Sequence, residues 1–102
     1  MNQIKLITIN LITKTGKFAN NKDKAREIRE KLIFPSLKRG ELVVLNFKDI
    51  DSATQSFIHA LISAAIRTFG DDVFDMIEFK NCNESVKRVI NIVAEYMQHN
   101  KE

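Results

Sequence analysis

A chain of 102 residues with a net charge of +3 suits one domain, residues 1–102, built on a single core with little surplus stability. The apolar share of 44% and charged share of 28% are those of an ordinary globular protein, and the absence of any run of about 18 apolar residues argues against a membrane span. One cysteine, Cys82, excludes an internal disulfide, and the start around Asn2, Gln3 and Lys5 lacks the basic-then-apolar order of a secretion signal, so a cytoplasmic protein is expected.

Ile4 to Ile12 is β-rich, with Ile7, Ile9 and Leu11 alternating against Thr8 and Asn10, and predicts a first strand. Thr15-Gly16-Lys17 reads as a turn leading into a short strand at Phe18. Asn20 and Asn21 are candidate N-caps for a helix on which Ala25, Ile28 and Leu32 recur at helical spacing. Pro35 and Gly40 are expected to end that region. From Lys14 to Arg39 there are nine basic residues against three acids; from Gly40 onward there are six against ten. Segment 14–39 is therefore a candidate nucleic-acid surface, with Lys17, Lys22, Lys24, Arg26, Arg29, Lys38 and Arg39 as phosphate contacts. The competing reading is a solvated helix with basic loops, because only Phe18 and Phe34 interleave with the charges.

Leu42 to Phe47 is nearly continuous apolar sequence, as in a strand covered on both faces. A polar turn follows, and Ala53 to Phe69 predicts a helix stopped by Gly70. At about 100° per residue, Ser56, His59, Ser63 and Arg67 fall on one narrow stripe of an otherwise apolar helix. So apolar a helix is expected to sit deep in the domain or to offer its flank to a partner protein or a second copy of the chain. Ser52-Ala53-Thr54-Gln55 fits a capping box, with Thr54 as the alternative cap. Either way Ser56 falls near the positive end of the helix, where a phosphoryl group is favoured by the dipole and opposed by Asp49 and Asp51.

Val73 to Phe79 is the next strand candidate, and Asn83 begins a last helix facing inward through Val86, Val89, Ile90, Val93, Tyr96 and Met97, with Gln98 to Glu102 fraying. Alternating strands and helices imply an α/β fold of about four strands, in a mixed or mostly parallel sheet, packed with three helices.

No catalytic constellation emerges. Ser56 and His59 are three residues apart on one stripe, but no acid is positioned by sequence to orient the histidine. His59 and His99 are the only histidines, Cys82 lacks metal-ligand spacing, and Gly16, Gly40 and Gly70 are too far apart for a phosphate loop. Asp71, Asp72 and Asp75 read as a solvated connection, and Cys82 as a packed small residue. The expectation is a non-enzymatic protein with no cofactor and no metal.

The run Val43-Val44-Leu45-Asn46-Phe47, the connection through Ile50, and Thr54-Gln55-Ser56-Phe57 opening a helix resemble the STAS domain of bacterial anti-sigma-factor antagonists. The closer resemblance is to STAS-like domains of unassigned function from bacteria and phage-related loci; it spans about Asn20 to Met97, includes Lys24-Ala25-Arg26, and rests on short motifs. In the antagonists the serine opening this helix is phosphorylated by a kinase of the histidine-kinase-like ATPase fold, and phosphorylation breaks the complex. That resemblance makes Ser56 the candidate regulatory residue. It implies docking through 49–56, with Asp49, Asp51, Ser52, Thr54, Gln55, Ile58, His59 and Ile62 contacting the partner. The chain departs from the antagonists at Thr54, where they carry Asp, and at Phe57, where they carry Gly; Asn46 replaces an Asp common in the STAS-like group. A nucleotide or small-molecule sensor using the helix start at Ser52 to Ser56 is a further alternative, alongside nucleic acid.

Overall fold

The structure is a computed structural model describing residues 4–99, apart from the His99 side chain. Asn2, Gln3 and the last residues of the expected fraying tail lie outside the described residues.

The chain begins with β1 (Leu6–Asn10), α1 (Ile12–Thr15), β2 (Phe18–Ala19) and α2 (Lys22–Ile28). A π-helical turn, Arg29–Ile33, joins α2 to α3 (Phe34–Lys38). Then come β3 (Leu42–Asn46), β4 (Ser52–Ala53), α4 (Gln55–Phe69), a 3-10 turn (Gly70–Asp75), β5 (Ile77–Lys80) and α5 (Glu84–His99). The strands do not form one four-stranded sheet. β1, β3 and β5 make a parallel sheet with β3 central, and β2 pairs separately with β4, also parallel.

In the main sheet Ile7, Val43 and Ile77 are in register, as are Ile9, Leu45 and Phe79. Of these, Ile9, Val43, Leu45 and Ile77 share one core with Phe47, Ile50, Phe57 and Leu61, Phe79 packs against it, and Ile7 is half-buried at the edge. The alternate row, Thr8, Val44 and Glu78, occupies the other face, where Thr8 and Glu78 are exposed. Within β3 itself Val43, Val44 and Leu45 are all buried, as the apolar run Leu42–Phe47 implies, and the exposed positions of the second face belong to the edge strands. Val44 is buried apart from the core cluster.

Four expectations about elements are corrected. The first strand stops at Asn10, because Leu11 turns helical (φ −64°, ψ −30°) and starts α1. Pro35 does not end the helical region: the Phe34 N–H donates to the Arg29 carbonyl, five residues back, and this wide turn places Pro35 in the first turn of α3, where its missing N–H costs least. Val73 and Phe74 belong to the 3-10 turn, not to a strand, so only Ile77–Lys80 pairs with β3. Tyr96 does not point inward. Val86, Ile90, Val93 and Met97 are buried and Val89 is half-buried, but Tyr96 lies one turn from Ile92 on the flank of α5, and the two are 59% and 43% exposed.

Other signals hold. The Asn21 side chain caps α2 by accepting from the N–H groups of Asp23 and Lys24 (2.9 and 3.1 Å). Gly70 leaves α4 at φ 70°, a conformation that favours glycine. Among the described residues no helix is long and apolar enough to cross a membrane.

Candidate functional site

The connection from β3 to α4 is pinned along its length. The Ile50 N–H donates to the Phe47 carbonyl (3.0 Å), closing a turn whose third residue, Asp49, has φ 68°. The Asn46 side-chain oxygen accepts from the Lys48 N–H (3.0 Å) and from the Asn81 amide (2.8 Å), while the Asn46 amide donates to Asn10 (2.9 Å). Three asparagines therefore tie together the carboxyl ends of β1, β3 and β5. Further on, the Asn83 amide donates to the carbonyls of Ile50 (3.2 Å) and Asp51 (3.0 Å), and its oxygen caps α5 at the Val86 N–H (2.8 Å). The Asp51 N–H donates to the Lys17 carbonyl (2.8 Å) and the Thr54 N–H to that of Ala19 (3.0 Å).

At the start of α4 the cap is Thr54. Its hydroxyl accepts from the Phe57 N–H at 3.1 Å. Ser52 is no capping box: with Ala53 it forms β4, paired with Phe18 and Ala19. Gln55 and Ser56 are exposed in the first helical turn, whereas Phe57 is fully buried.

The β2–β4 register has a consequence for the surface. Lys22 and Ser56 each follow a paired alanine, Ala19 and Ala53, by three residues, so α2 and α4 start side by side. Between these helices and α5 lies a cleft of about 670 Å³. α2 and the turn after it contribute Lys22, Arg26 and Arg29; α4 contributes Gln55, Ser56, His59, Ser63 and Arg67; Ile92 and Tyr96 stand on the α5 side. Arg29 is set in place by donating to the Ala60 carbonyl (3.1 Å) and to Glu30 (2.9 Å). Arg26 pairs with Asp23 at 3.1 Å, and both side chains are exposed. The Arg67 guanidinium lies 3.5 Å from the buried Ser63 hydroxyl.

The structure thus joins two sets of residues that sequence reasoning kept apart: Ser56, His59 and Gln55 with Lys22, Arg26 and Arg29. It separates others. Lys24 pairs with Glu27 (3.1 Å), Arg39 binds both oxygens of Glu41 (3.0 Å each), and Lys24, Lys38 and Arg39 all lie outside this cleft. Asp49, Asp51 and Thr54 are exposed on the pinned connection and Ser52 is half-buried; none lines the cleft with Ser56. Ile58 and Ile62, expected to contact a partner, are 0% and 1% exposed. The chain's own α2, α5 and sheet already cover that face.

Among the described residues no hydrogen bond joins Ser56 to His59. Cys82 is half-buried, and burial pushes its thiol up, away from the reactive thiolate. Asn10, Asn81, Asn83, Ile92 and Tyr96 are not legible as site residues; the polar stripe of α4 and the basic residues Lys22, Arg26 and Arg29 carry the sequence signal.

Parallel strands joined through helices, with an ordered connection opening a helix at its serine-bearing end, define a STAS-like α/β domain. The family model described as "STAS-like domain of unknown function (DUF4325)" matches residues 24–87, more than half of the chain, and the protein belongs to that family. The match includes the pinned connection and all of α4, but neither Lys22 nor Tyr96. No curated protein and no solved structure matches the chain.

Proposed function

We propose that this STAS-like domain is a non-enzymatic regulatory module that docks a partner protein through residues 49–56 and the first turn of α4, and that phosphorylation of Ser56 releases the partner. The observation that carries this reading is the exposure of Ser56 on a helix start held rigid on both sides, by the Thr54 cap and by the Asn83 clamp. A preorganised surface loses little conformational freedom on binding. Asp49 and Asp51, exposed on the same connection, supply charge that orients the partner. By resemblance, that partner is an ATPase or kinase of the histidine-kinase-like fold.

The surroundings of Ser56 favour the phosphorylated form more than sequence reasoning suggested. The charged residues sharing its cleft are cations, and Asp49 and Asp51 are not among them. A phosphoryl group there gains from the helix N-terminus and from Lys22, while adding two charges to a surface shaped for protein contact. Binding rather than catalysis is also favoured by the company of His59, which is cations and hydroxyls, with no carboxylate to orient it.

The test is capture from native-host lysate on wild-type and Ser56→Asp baits, read by mass spectrometry. An ATPase or kinase held by wild type and lost by Ser56→Asp supports the switch. Equal capture by both baits removes the switch and keeps the docking role. Enrichment of nucleic acid without a specific protein overturns both.

A further inference from the structure

We propose that the cleft between α2, α4 and α5 is a binding site for a small phosphorylated molecule, with Lys22, Arg26 and Arg29 holding the phosphate and Ile92 and Tyr96 facing the rest of the ligand. This inference does not rest on the docking reading and concerns a diffusible ligand rather than a partner protein.

Size comes first. About 670 Å³ falls inside the range of roughly 300–1,000 Å³ occupied by small-molecule sites. Charge comes second. The chain carries 16 basic and 13 acidic residues, yet the cleft is lined by Lys22, Arg26, Arg29 and Arg67 and by no carboxylate. Such sorting is not required for solubility, and cations gathered in a concave site focus their field on an anion.

The availability of these charges differs by residue. Lys22 has no carboxylate partner among the described residues. Arg26 has one in Asp23, but an exposed pair at this spacing is weak and yields to a better acceptor. Arg29 pairs with Glu30, an exposed carboxylate outside the cleft, and is held by the Ala60 carbonyl, so its guanidinium is already ordered at the cleft wall. Lys22 and Arg26 on α2 and Arg29 at the start of the π-helical turn line one side of the cleft at spacings of four and three, with Arg26 next to each of the others. Two guanidinium forks and an ammonium suit a tetrahedral phosphate.

Across the cleft, Ile92 and Tyr96 are the two exposed large apolar side chains of α5. Their position opposite the cations gives the site one charged and one apolar wall, which a phosphate ester with an apolar or aromatic body would fill. A nucleic-acid track is less well served, since Lys24, Lys38 and Arg39 are off the cleft and two of them are engaged by Glu27 and Glu41.

The test is calorimetric titration of the full chain with inorganic pyrophosphate and phenyl phosphate, with citrate as the carboxylate control. Both phosphates should bind more tightly than citrate. A Lys22→Glu/Arg26→Glu double variant, altered only at exposed side chains and checked for folding by circular dichroism, should lose about tenfold or more in affinity for both. Lys38→Glu, outside the cleft, should lose nothing. Tyr96→Ala should weaken phenyl phosphate several-fold and spare pyrophosphate. The proposal is overturned by no binding of either phosphate at millimolar concentration, by equal binding of citrate, or by binding that survives the double charge reversal. An oligonucleotide held more tightly than either phosphate, and released by the same double variant, overturns it by reassigning the cleft to nucleic acid.

Discussion

The two sides of α4 differ sharply in what they meet. Phe57, Ile58, Leu61, Ile62, Ala65 and Ile66 are sealed inside the core, while Ser56, His59 and Arg67 stand in water along the cleft. One side holds the domain together and the other lines the cleft. The contrast also shows that an apolar helix in a small domain does not by itself signal a partner: the flanking α2 and α5 and the sheet cover it within the chain.

The largest expected effect breaks the closed side. Phe57→Ala removes a fully buried ring and should cost about 3–5 kcal/mol in denaturant unfolding, a large part of the stability a domain this size has. A loss under about 1 kcal/mol would mean that the cavity collapses readily and that this side of α4 is not the packed one.

The next effect tests how firmly the open side is held. Asn83→Ala deletes the cap of α5 and the clamp on the Ile50 and Asp51 carbonyls together, so a loss of about 2–3 kcal/mol is expected. Amide exchange should accelerate across 48–54 beyond the change at β1. Uniform acceleration would show that Asn83 supports only global stability and does not pin the connection.

This contrast explains what the sequence made legible. The asparagine at 21, the glycine at 70 and the polar stripe of α4 act through neighbours a few residues away, so local pattern suffices. The cleft depends on Lys22 meeting Ser56, which depends on a two-residue strand, Phe18–Ala19, pairing with another, Ser52–Ala53. The turn at Thr15-Gly16-Lys17 marks a short strand at Phe18, as found, but strands so short carry no periodicity, so β4 and its pairing with β2 are not legible. Ser52 looked like a cap because its true partners, at 17–19, are remote in sequence. Pro35 and the run Val73–Phe79 failed for a related reason: a wide turn absorbs the proline, and burial of Val73 comes from a 3-10 turn instead of strand alternation.

A smaller loss belongs to the junction between the two sides. Thr54→Ala removes the only side-chain cap of α4 and should cost about 1 kcal/mol, with Thr54→Ser restoring most of it. Failure of serine to rescue would assign the loss to the threonine methyl and not to the hydrogen bond.

Acid titration supplies a control away from α4. The Arg39 guanidinium, bonded to both oxygens of Glu41, holds that carboxyl below its ordinary 4.5. Because the folded value is depressed, the contribution to stability is present above the unfolded value and is lost as pH falls through the folded one. Glu41→Gln should therefore narrow the fall in Tm between neutral and acid pH. Parallel Tm curves for wild type and Glu41→Gln would place the acid sensitivity elsewhere, with Glu27, lowered by Lys24 and Lys31, the next group to change.

The smallest stability effect lies on Ser56, and its sign is informative. Ser56→Asp puts a carboxylate in the first turn of α4, beside the cleft cations, and should raise stability by about 0.3–1 kcal/mol. The same substitution is expected to abolish partner capture. Loss of docking from a protein that is more stable than wild type cannot be ascribed to unfolding, so the pair of measurements isolates charge as the cause. If Ser56→Asp instead destabilises, the cations are too distant to meet that charge, and repulsion from Asp49 and Asp51 governs this end of the helix after all.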